Sequence, residues 1–240
     1  MSKIFFTADT HFGHGNIIKY CNRPFLTAAD QRALDNNGGS WNDGTWKGTR
    51  SSNWRITQDA IDMMDDTMIK NINDMVGEND ILWHLGDFAF GVRDNYVRKC
   101  ENYRRRINCK NVNIIWGNHD EPYQIRHLFK ENHKLNDISL IDHRFRVVLC
   151  HYAMAVWDGS HRGNWQLYGH SHAGAEKWMN KFMAGRKSID VGVDNAAILF
   201  GAYRPFSLAD LEAILLKREG FSMDHHIPKN STSPKEEELT

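Results

Sequence analysis

Short groups of aspartate, asparagine and histidine recur along this sequence, and these residue types bind divalent transition metals in proteins. Apart from His119 and Asp120, they offer two carboxylates, one amide and four imidazoles. This set is sufficient for two cations of the Mn, Fe or Zn kind, with one carboxylate shared between them. The groups, in chain order, are Asp9-Thr10-His11, Gly86-Asp87, Gly117-Asn118-His119-Asp120, His151 and Gly169-His170-Ser171-His172.

A pair of such cations has a well-defined chemistry. Two cations about 3.5–4 Å apart hold a bridging hydroxide and clamp the attacking and leaving oxygens of a phosphoryl group. Any one of these histidines, taken alone, would be better interpreted as a hydrogen-bonded structural residue. The whole set favours metal binding, because buried carboxylates and imidazoles without a cation would be costly.

Three other residues are each open to two interpretations. His14, three residues after His11, would contact a substrate phosphate or support a ligand; the alternative is a surface histidine at the start of a helix. Arg162, beside His161, could reach a phosphate, and an ordinary surface pair is an equal alternative. His84 lies inside an apolar run and is interpreted as a core histidine.

Each of the polar groups follows a short apolar run that predicts a buried β-strand. The carboxyl ends of neighbouring strands converge in α/β sheets, so we expect the groups to meet at one crevice. Residue 57 is a candidate N-cap for the most regular of the predicted helices. The predicted strands cover residues 3–8, 81–85, 112–116, 146–150, 165–168 and 188–193, and the predicted helices 16–20, 57–75, 94–106, 122–129 and 208–217.

Length and composition predict a single catalytic domain. The 240 residues include 30 basic and 30 acidic side chains, so no overall field draws the chain to nucleic acid or membrane. The four cysteines have no metal-ligand spacing, and no signal-peptide pattern opens the sequence, so we expect a cytoplasmic protein with reduced thiols. We expect the domain over residues 1–217, an insertion rich in Trp and Gly at 35–55, and a disordered polar tail at 218–240.

The order Asp-x-His, Gly-Asp, Gly-Asn-His-Asp, His, Gly-His-x-His resembles the calcineurin-like metallophosphoesterases, and it runs from Asp9 to His172. The resemblance implies a four-layer α/β sandwich of two mixed β-sheets flanked by helices. It also implies two divalent ions, with Mn²⁺ first and Fe, Zn or Ni as alternatives. His119 matches the family's histidine that binds no metal and acts at the leaving oxygen. The implied ligands are Asp9, His11, Asp87 and His172 for the first ion, and Asp87, Asn118, His151 and His170 for the second.

One departure from the family narrows the class. Protein phosphatases of the family have an Asp-Arg pair soon after Gly-Asp, and that aspartate orients the catalytic histidine. Here the run is Gly86-Asp87-Phe88-Ala89-Phe90-Gly91, which leaves Asp120 as a candidate for orienting His119 by proximity only. The sequence is also similar to small bacterial and phage phosphoesterases. The resemblance therefore implies a phosphodiesterase rather than a phosphoprotein phosphatase.

Two alternatives of different class stay open. One is a nuclease or nucleic-acid-binding phosphoesterase that uses the basic segment at residues 93–110, where a solvated helix face is the simpler interpretation. The Trp-rich insertion would then be a stacking platform for bases, whereas we interpret it as a lid. The other is a metal-binding scaffold without activity, which would have no need of His119. The expected partner is a phosphoester, with a nucleotide or nucleic acid as candidates, and no membrane.

Overall fold

Two mixed β-sheets form the centre of the molecule, and helices pack on their outer faces. The computed structural model describes residues 2–36, 40–42, 45–47, 55–91, 95–140 and 145–221. The strands are β1 Ile4–Thr7, β2 Ser40–Asn42, β3 Thr45–Lys47, β4 Ile81–His84, β5 Asn111–Ile115, β6 Asn132–His133, β7 Leu135–Ser139, β8 Arg146–Cys150, β9 Trp165–Tyr168, β10 Ser188–Asp190 and β11 Phe206–Ser207. The helices are α1 Gly15–Tyr20, α2 Ala28–Asn36, α3 Gln58–Met75, α4 Asn95–Arg106, α5 Pro122–Ile125, α6 Gly174–Phe182, α7 Val193–Phe200 and α8 Leu208–Leu215.

Both central sheets mix parallel and antiparallel neighbours. The first has the order β11-β1-β4-β5-β6, in which β1, β4, β5 and β6 run parallel and β11 is antiparallel to β1. The second has the order β10-β9-β8-β7, in which only β7 runs antiparallel to its neighbour. Strands β2 and β3 pair separately with each other. Parallel neighbours bring their carboxyl ends to the same edge, which is what the predicted crevice requires.

Alternate residues of the first sheet face two different cores, as the pleat of a strand requires. Phe5 and Leu82 pack with residues of α1, α3 and α4, whereas Phe6 and Trp83 pack against the second sheet. On the outer face of the second sheet, Tyr168 packs with α6. Helices therefore cover both outer faces of a sheet-on-sheet centre, and the predicted four-layer α/β class is confirmed.

Helix α3 follows its sequence pattern closely. The Thr57 hydroxyl accepts a hydrogen bond from the Ala60 N–H, which makes Thr57 the N-cap that the sequence predicted. Met64, Met68 and Ile72, spaced by one turn, are buried on a single face of the helix. That stripe packs on the first sheet, and Asp65 of the same helix accepts the Gly13 N–H of the loop after β1 at 3.0 Å.

The strand predicted over residues 188–193 was too long. Strand β10 ends at Asp190, and Val193 begins α7 with Gly192 as the N-cap. The Asp190 carboxylate accepts the Gly192 N–H at 2.7 Å, a local bond that turns the chain out of the sheet. The helix predicted over 122–129 is also shorter, since residues 126–128 form a 3₁₀ turn.

Several short elements carried no usable pattern, among them α2, α6, β6, β7 and β11. Within the predicted insertion at 35–55 the structure describes the end of α2 and the β2–β3 pair. The rest of the insertion, and with it the lid prediction, lies outside the described residues, as do residues 92–94 and 222–240. Searching the described part of the chain finds no helix both long enough and apolar enough to span a bilayer.

Candidate metal centre

The loops that follow β1, β4, β5, β8 and β9 meet at one edge of the sandwich and bring the predicted ligands together. Three groups of side chains there could hold a metal ion, and within each group the possible ligand atoms lie within 4.8 Å of one another. Two of them consist of predicted ligands: Asp9, His11 and His172, and Asp87, His151 and His170. The third, Cys21, His172 and Asp194, shares His172 with the first. The first two groups contain six of the seven predicted ligands, and the assignment of each ligand to one of two ions stays a prediction.

Asp87 lies at the junction of the two groups. Its Oδ2 atom is 3.5 Å from Nε2 of His11 and 3.4 Å from Nε2 of His151. The amide oxygen of Asn118 lies 3.2 Å from the same His151 nitrogen. One carboxylate oxygen therefore faces an imidazole of each group, as a bridging ligand would.

The backbone at the site has an unusual conformation. Among the described residues, seven that are not glycine have a positive φ, and five of these are predicted ligands. Such left-handed conformations are disfavoured for residues with a Cβ atom and persist only where the surroundings enforce them. The five are Asp9 (φ 57°), His11 (48°), Asp87 (56°), His170 (67°) and His172 (48°).

The turns are held by a buried carboxylate that the sequence prediction assigned differently. Asp120 accepts hydrogen bonds from the backbone N–H groups of Asp87 (2.9 Å), Phe88 (3.0 Å) and Gly117 (2.8 Å). Burial raises the pKa of Asp120 to about 6, although these three donors oppose the shift. Asp120 therefore holds the turns that carry Asp87 and Gly117, and none of its described hydrogen bonds is to the His119 ring; its role in orienting that ring stays a prediction.

Glycines allow the turns to approach closely. A Cβ atom on Gly117 would lie 2.2 Å from Oδ1 of Asp87, and one on Gly86 would lie 2.5 Å from Nδ1 of His151. Gly169 similarly faces Oδ2 of Asp9, at 2.6 Å. There is therefore no room for a side chain at these three glycines.

Replacing Gly117 with alanine should destabilise the protein and displace Asp87, because the new methyl group overlaps backbone and carboxylate atoms of that residue. We expect a loss of about 1–3 kcal/mol in the free energy of unfolding, together with weaker metal binding. Gly174→Ala is the matched control, since a Cβ atom there meets nothing within 4 Å. Denaturant unfolding and Mn²⁺ titration measure both effects, and two equally stable variants would contradict the steric argument.

The electrostatics of the site fit cations. His11 is buried, and burial lowers its pKa to about 2, which keeps the ring neutral. Neither ring nitrogen of His11 has a hydrogen-bond partner among the described residues. Burial, with the charges of Asp190 and Asp87, raises the pKa of Asp9 well above its usual value. Crowded carboxylates beside a neutral imidazole whose acceptor nitrogen has no partner are the donor set that a divalent cation satisfies.

The remaining candidates lie on the solvent side of the centre. Asn118, His119 and His170 are exposed, and the ring centroid of His119 lies 5.4 Å from that of His11. The backbone N–H of His119 donates to Oδ1 of Asp87 at 2.9 Å, so His119 is fixed to the centre through its main chain. The site thus has four buried predicted ligands, Asp9, His11, Asp87 and His151, and an exposed side formed by Asn118, His119 and His170.

His14 lies beside this centre, whereas Arg162 is not connected to it by any described contact. The ring of His14 stacks on Phe90 with centroids 4.0 Å apart, and it lies 5.6 Å from the ring of His11. Burial lowers the pKa of His14 to about 4, and the nearby His119 contributes to the shift.

Arg162 is 66% exposed, and its guanidinium lies 3.7 Å from the carboxylate of Asp158. His84, predicted to be a core residue, is buried and bonds the Thr10 hydroxyl at 2.9 Å.

Three supporting residues were missed by the sequence prediction. Asp190 and Asp194 stand at the end of β10 and in the first turn of α7, each two residues from Gly192, so an acidic residue follows a strand close to a glycine, as at several predicted ligands. An acidic residue just after a predicted strand is the same signal that identified Asp9 and Asp87, and it would also have identified Asp194. Arg23 has no local signal, because its partner Asp194 is 171 positions away in the chain.

The fold and the two ligand groups define a class of metal-dependent hydrolase, and comparison with known proteins agrees. Residues 2–220 match the family model of the calcineurin-like phosphoesterases. The chain therefore belongs to the calcineurin-like phosphoesterase family, whose members hydrolyse phosphoesters with divalent metals.

Two known proteins are similar over most of their length. An uncharacterised protein of Methanocaldococcus jannaschii is 30% identical over 218 residues, which covers 91% of this chain and 93% of that protein. A solved structure of a protein of unknown function from Aquifex aeolicus superposes with a TM-score of 0.54 at 18% identity. That alignment covers 89% of this chain and 99% of the other, and it supports the fold.

Proposed function

We propose that this protein is a phosphodiesterase with a binuclear metal centre. Asp9, His11 and His172 would hold one ion, and Asn118, His151 and His170 the other, with Asp87 shared. The observation that carries the proposal is the position of Asp87 Oδ2, at 3.5 Å and 3.4 Å from one imidazole of each group. A single carboxylate oxygen between two ligand groups is the arrangement expected for a pair of bridged cations.

Some residues of the site would hold the cations, and His119 would transfer a proton to the leaving oxygen. When bound, two divalent cations would supply Lewis acidity to the phosphoryl oxygens and lower the pKa of the attacking water. His151 donates through Nδ1 to the Leu85 carbonyl at 2.7 Å, so Nε2, which faces Asp87 and Asn118, is the nitrogen that would hold a cation. His119 is exposed and adjacent to the ligands, so its imidazole can protonate the leaving oxygen.

The charge of the site favours diesters over monoesters. A monoester dianion is commonly held by arginine, whose guanidinium matches phosphate oxygens. Among the described contacts, Arg23 is the arginine that reaches a predicted ligand, through the Asp9 carbonyl. Its guanidinium is buried and bound to Asp194 at 2.8 Å, so it is not available to a phosphate. His14 stacks on Phe90 beside His11, and we propose that its imidazole contacts the substrate. A role for Arg162 at the substrate stays a prediction.

The basic segment gives little support to the nucleic-acid alternative, because several of its charges are engaged within the molecule. Arg104 donates to the carbonyls of Leu128 and Cys109, at 3.1 Å and 2.8 Å. Arg106 pairs with Asp66, and Lys110 lies 2.7 Å from the carboxylate of Glu78. We therefore keep a small diester as the first proposal and nucleic acid as the second.

A substrate panel in Mn²⁺ tests the proposal. It should contain aryl phosphate mono- and diesters, cyclic nucleotides, and single- and double-stranded nucleic acid. We expect turnover of diesters, with rates that change little with salt. A steep loss of activity with salt would instead indicate binding to several phosphates of a nucleic acid. A preference for monoesters would contradict the diester assignment.

Removing the metal should abolish hydrolysis. The ligand groups contain no other strong nucleophile or acid that could replace the cations, so we expect turnover to fall to background after chelation and dialysis. Addition of Mn²⁺ should restore turnover and should saturate at two ions per chain. Activity that survives thorough chelation would exclude the binuclear mechanism.

A further inference from the structure

We propose that Asp194 and Arg23 form a positioning pair that orients the imidazole of His172 for metal binding. The inference rests on the metal centre proposed above and gives these two residues a supporting role rather than that of ligands. Their role would be to fix which ring nitrogen of His172 faces the cation, and to hold the His172 turn against the Asp9 loop.

The contacts of the pair converge on one carboxylate. Asp194 Oδ2 lies 2.7 Å from Nδ1 of His172 and accepts a hydrogen bond from Nη2 of Arg23 at 2.8 Å. The other oxygen accepts from Nε of Arg23, also at 2.8 Å. An ionised Asp194 can only accept hydrogen bonds, so Nδ1 of His172 carries the proton and Nε2 keeps its lone pair for a ligand.

This arrangement distinguishes His172 from two other imidazoles of the centre. His151 uses Nδ1 to donate to a neutral carbonyl, that of Leu85, and His11 has no hydrogen-bond partner among the described residues. His172 has a full carboxylate behind it. A carboxylate in that position fixes the ring tautomer and orientation and raises the basicity of the other nitrogen.

Arg23 connects the same carboxylate to the opposite loop. It is a fully buried residue, and its guanidinium donates to the backbone carbonyls of Asp9 at 2.8 Å and Thr10 at 3.1 Å. A buried guanidinium without a counter-charge would be strongly destabilising, so Arg23 needs Asp194. The pair thus ties the Asp9 loop after β1 to the start of α7, and through Asp194 to His172.

The test is Mn²⁺ titration of Asp194→Asn beside wild type. Asparagine keeps the shape but loses the charge, so we expect one of the two ions to bind roughly 10–100-fold more weakly and the other to bind as before. Asp210→Asn is the matched control. Asp210 also binds an arginine through both oxygens, with Arg204 at 2.8 Å and 3.1 Å, but none of its described contacts is to a ligand. Both variants should melt at lower temperature, and only Asp194→Asn should lose metal affinity.

The outcomes separate this inference from the proposed function. If wild type binds no Mn²⁺, the proposed metal centre itself is contradicted. Wild type that binds two ions, with Asp194→Asn binding them equally well, would overturn the positioning role alone. If the variant does not fold, the protonation of the two His172 ring nitrogens can be measured instead, by ¹⁵N NMR of the metal-free wild type in mildly alkaline buffer. We expect the His172 ring to be protonated at Nδ1, and an unprotonated Nδ1 would overturn the inference.

Discussion

Asp87→Asn should remove nearly all hydrolytic activity and loosen both metal ions. The carboxylate faces His11 on one side and His151 on the other, and an amide in its place cannot neutralise two cations. Even residues that only support a ligand typically change metal affinity or activity 10–100-fold, so we expect a loss of more than about 100-fold here. Steady-state turnover and calorimetric Mn²⁺ titration measure the two effects on the same preparation.

Asp30→Asn is the control for this substitution. Asp30 is also a buried carboxylate that accepts backbone N–H groups, those of Thr27 and Thr57, but its described contacts lie away from the ligands. It should lower stability without changing metal content. An Asp87→Asn protein that holds two ions and turns over normally would show that Asp87 is not the bridge.

The convergence of the proposed ligands could be predicted because their groups follow strands at the carboxyl ends. Strands β8 and β9 were predicted to the residue, and the groups after them contain His151 and His170. Once several strands are parallel, the sheet itself brings their ends together. Short local segments therefore contain the residues of the site, and the parallel order of the strands brings these segments together.

What could not be predicted depends on contacts that are distant in the chain or on ambiguous local patterns. Helix α7 has an apolar sequence that reads equally well as a strand, and the turn made by Asp190 decides between the two. Asp120 adjoins His119 in sequence, yet its carboxylate serves the backbone of the Asp87 turn. Proximity in sequence indicated a catalytic partner, and only the fold shows that the residue holds a strained turn.

His119→Ala should lower turnover by roughly 10²–10⁴-fold, the range that general acid–base catalysis supplies, and leave metal binding intact. The contact that joins His119 to the centre is its backbone N–H, 2.9 Å from Oδ1 of Asp87, and alanine keeps that donor. The loss should be largest for diesters with alkoxide leaving groups, which need a proton. Diesters of acidic phenols should be affected less, because their leaving oxygen is stable without one.

The pattern across leaving groups, with metal content measured on the same samples, separates three roles for His119. Equal losses on all leaving groups with two ions bound would indicate that the imidazole stabilises charge rather than transferring a proton. Loss of an ion would make His119 a ligand, although it belongs to neither ligand group. His14→Ala is the useful comparison, since that imidazole stacks on Phe90 in the same region. Its removal should weaken substrate affinity more than turnover, and only His119→Ala should show a dependence on the leaving group.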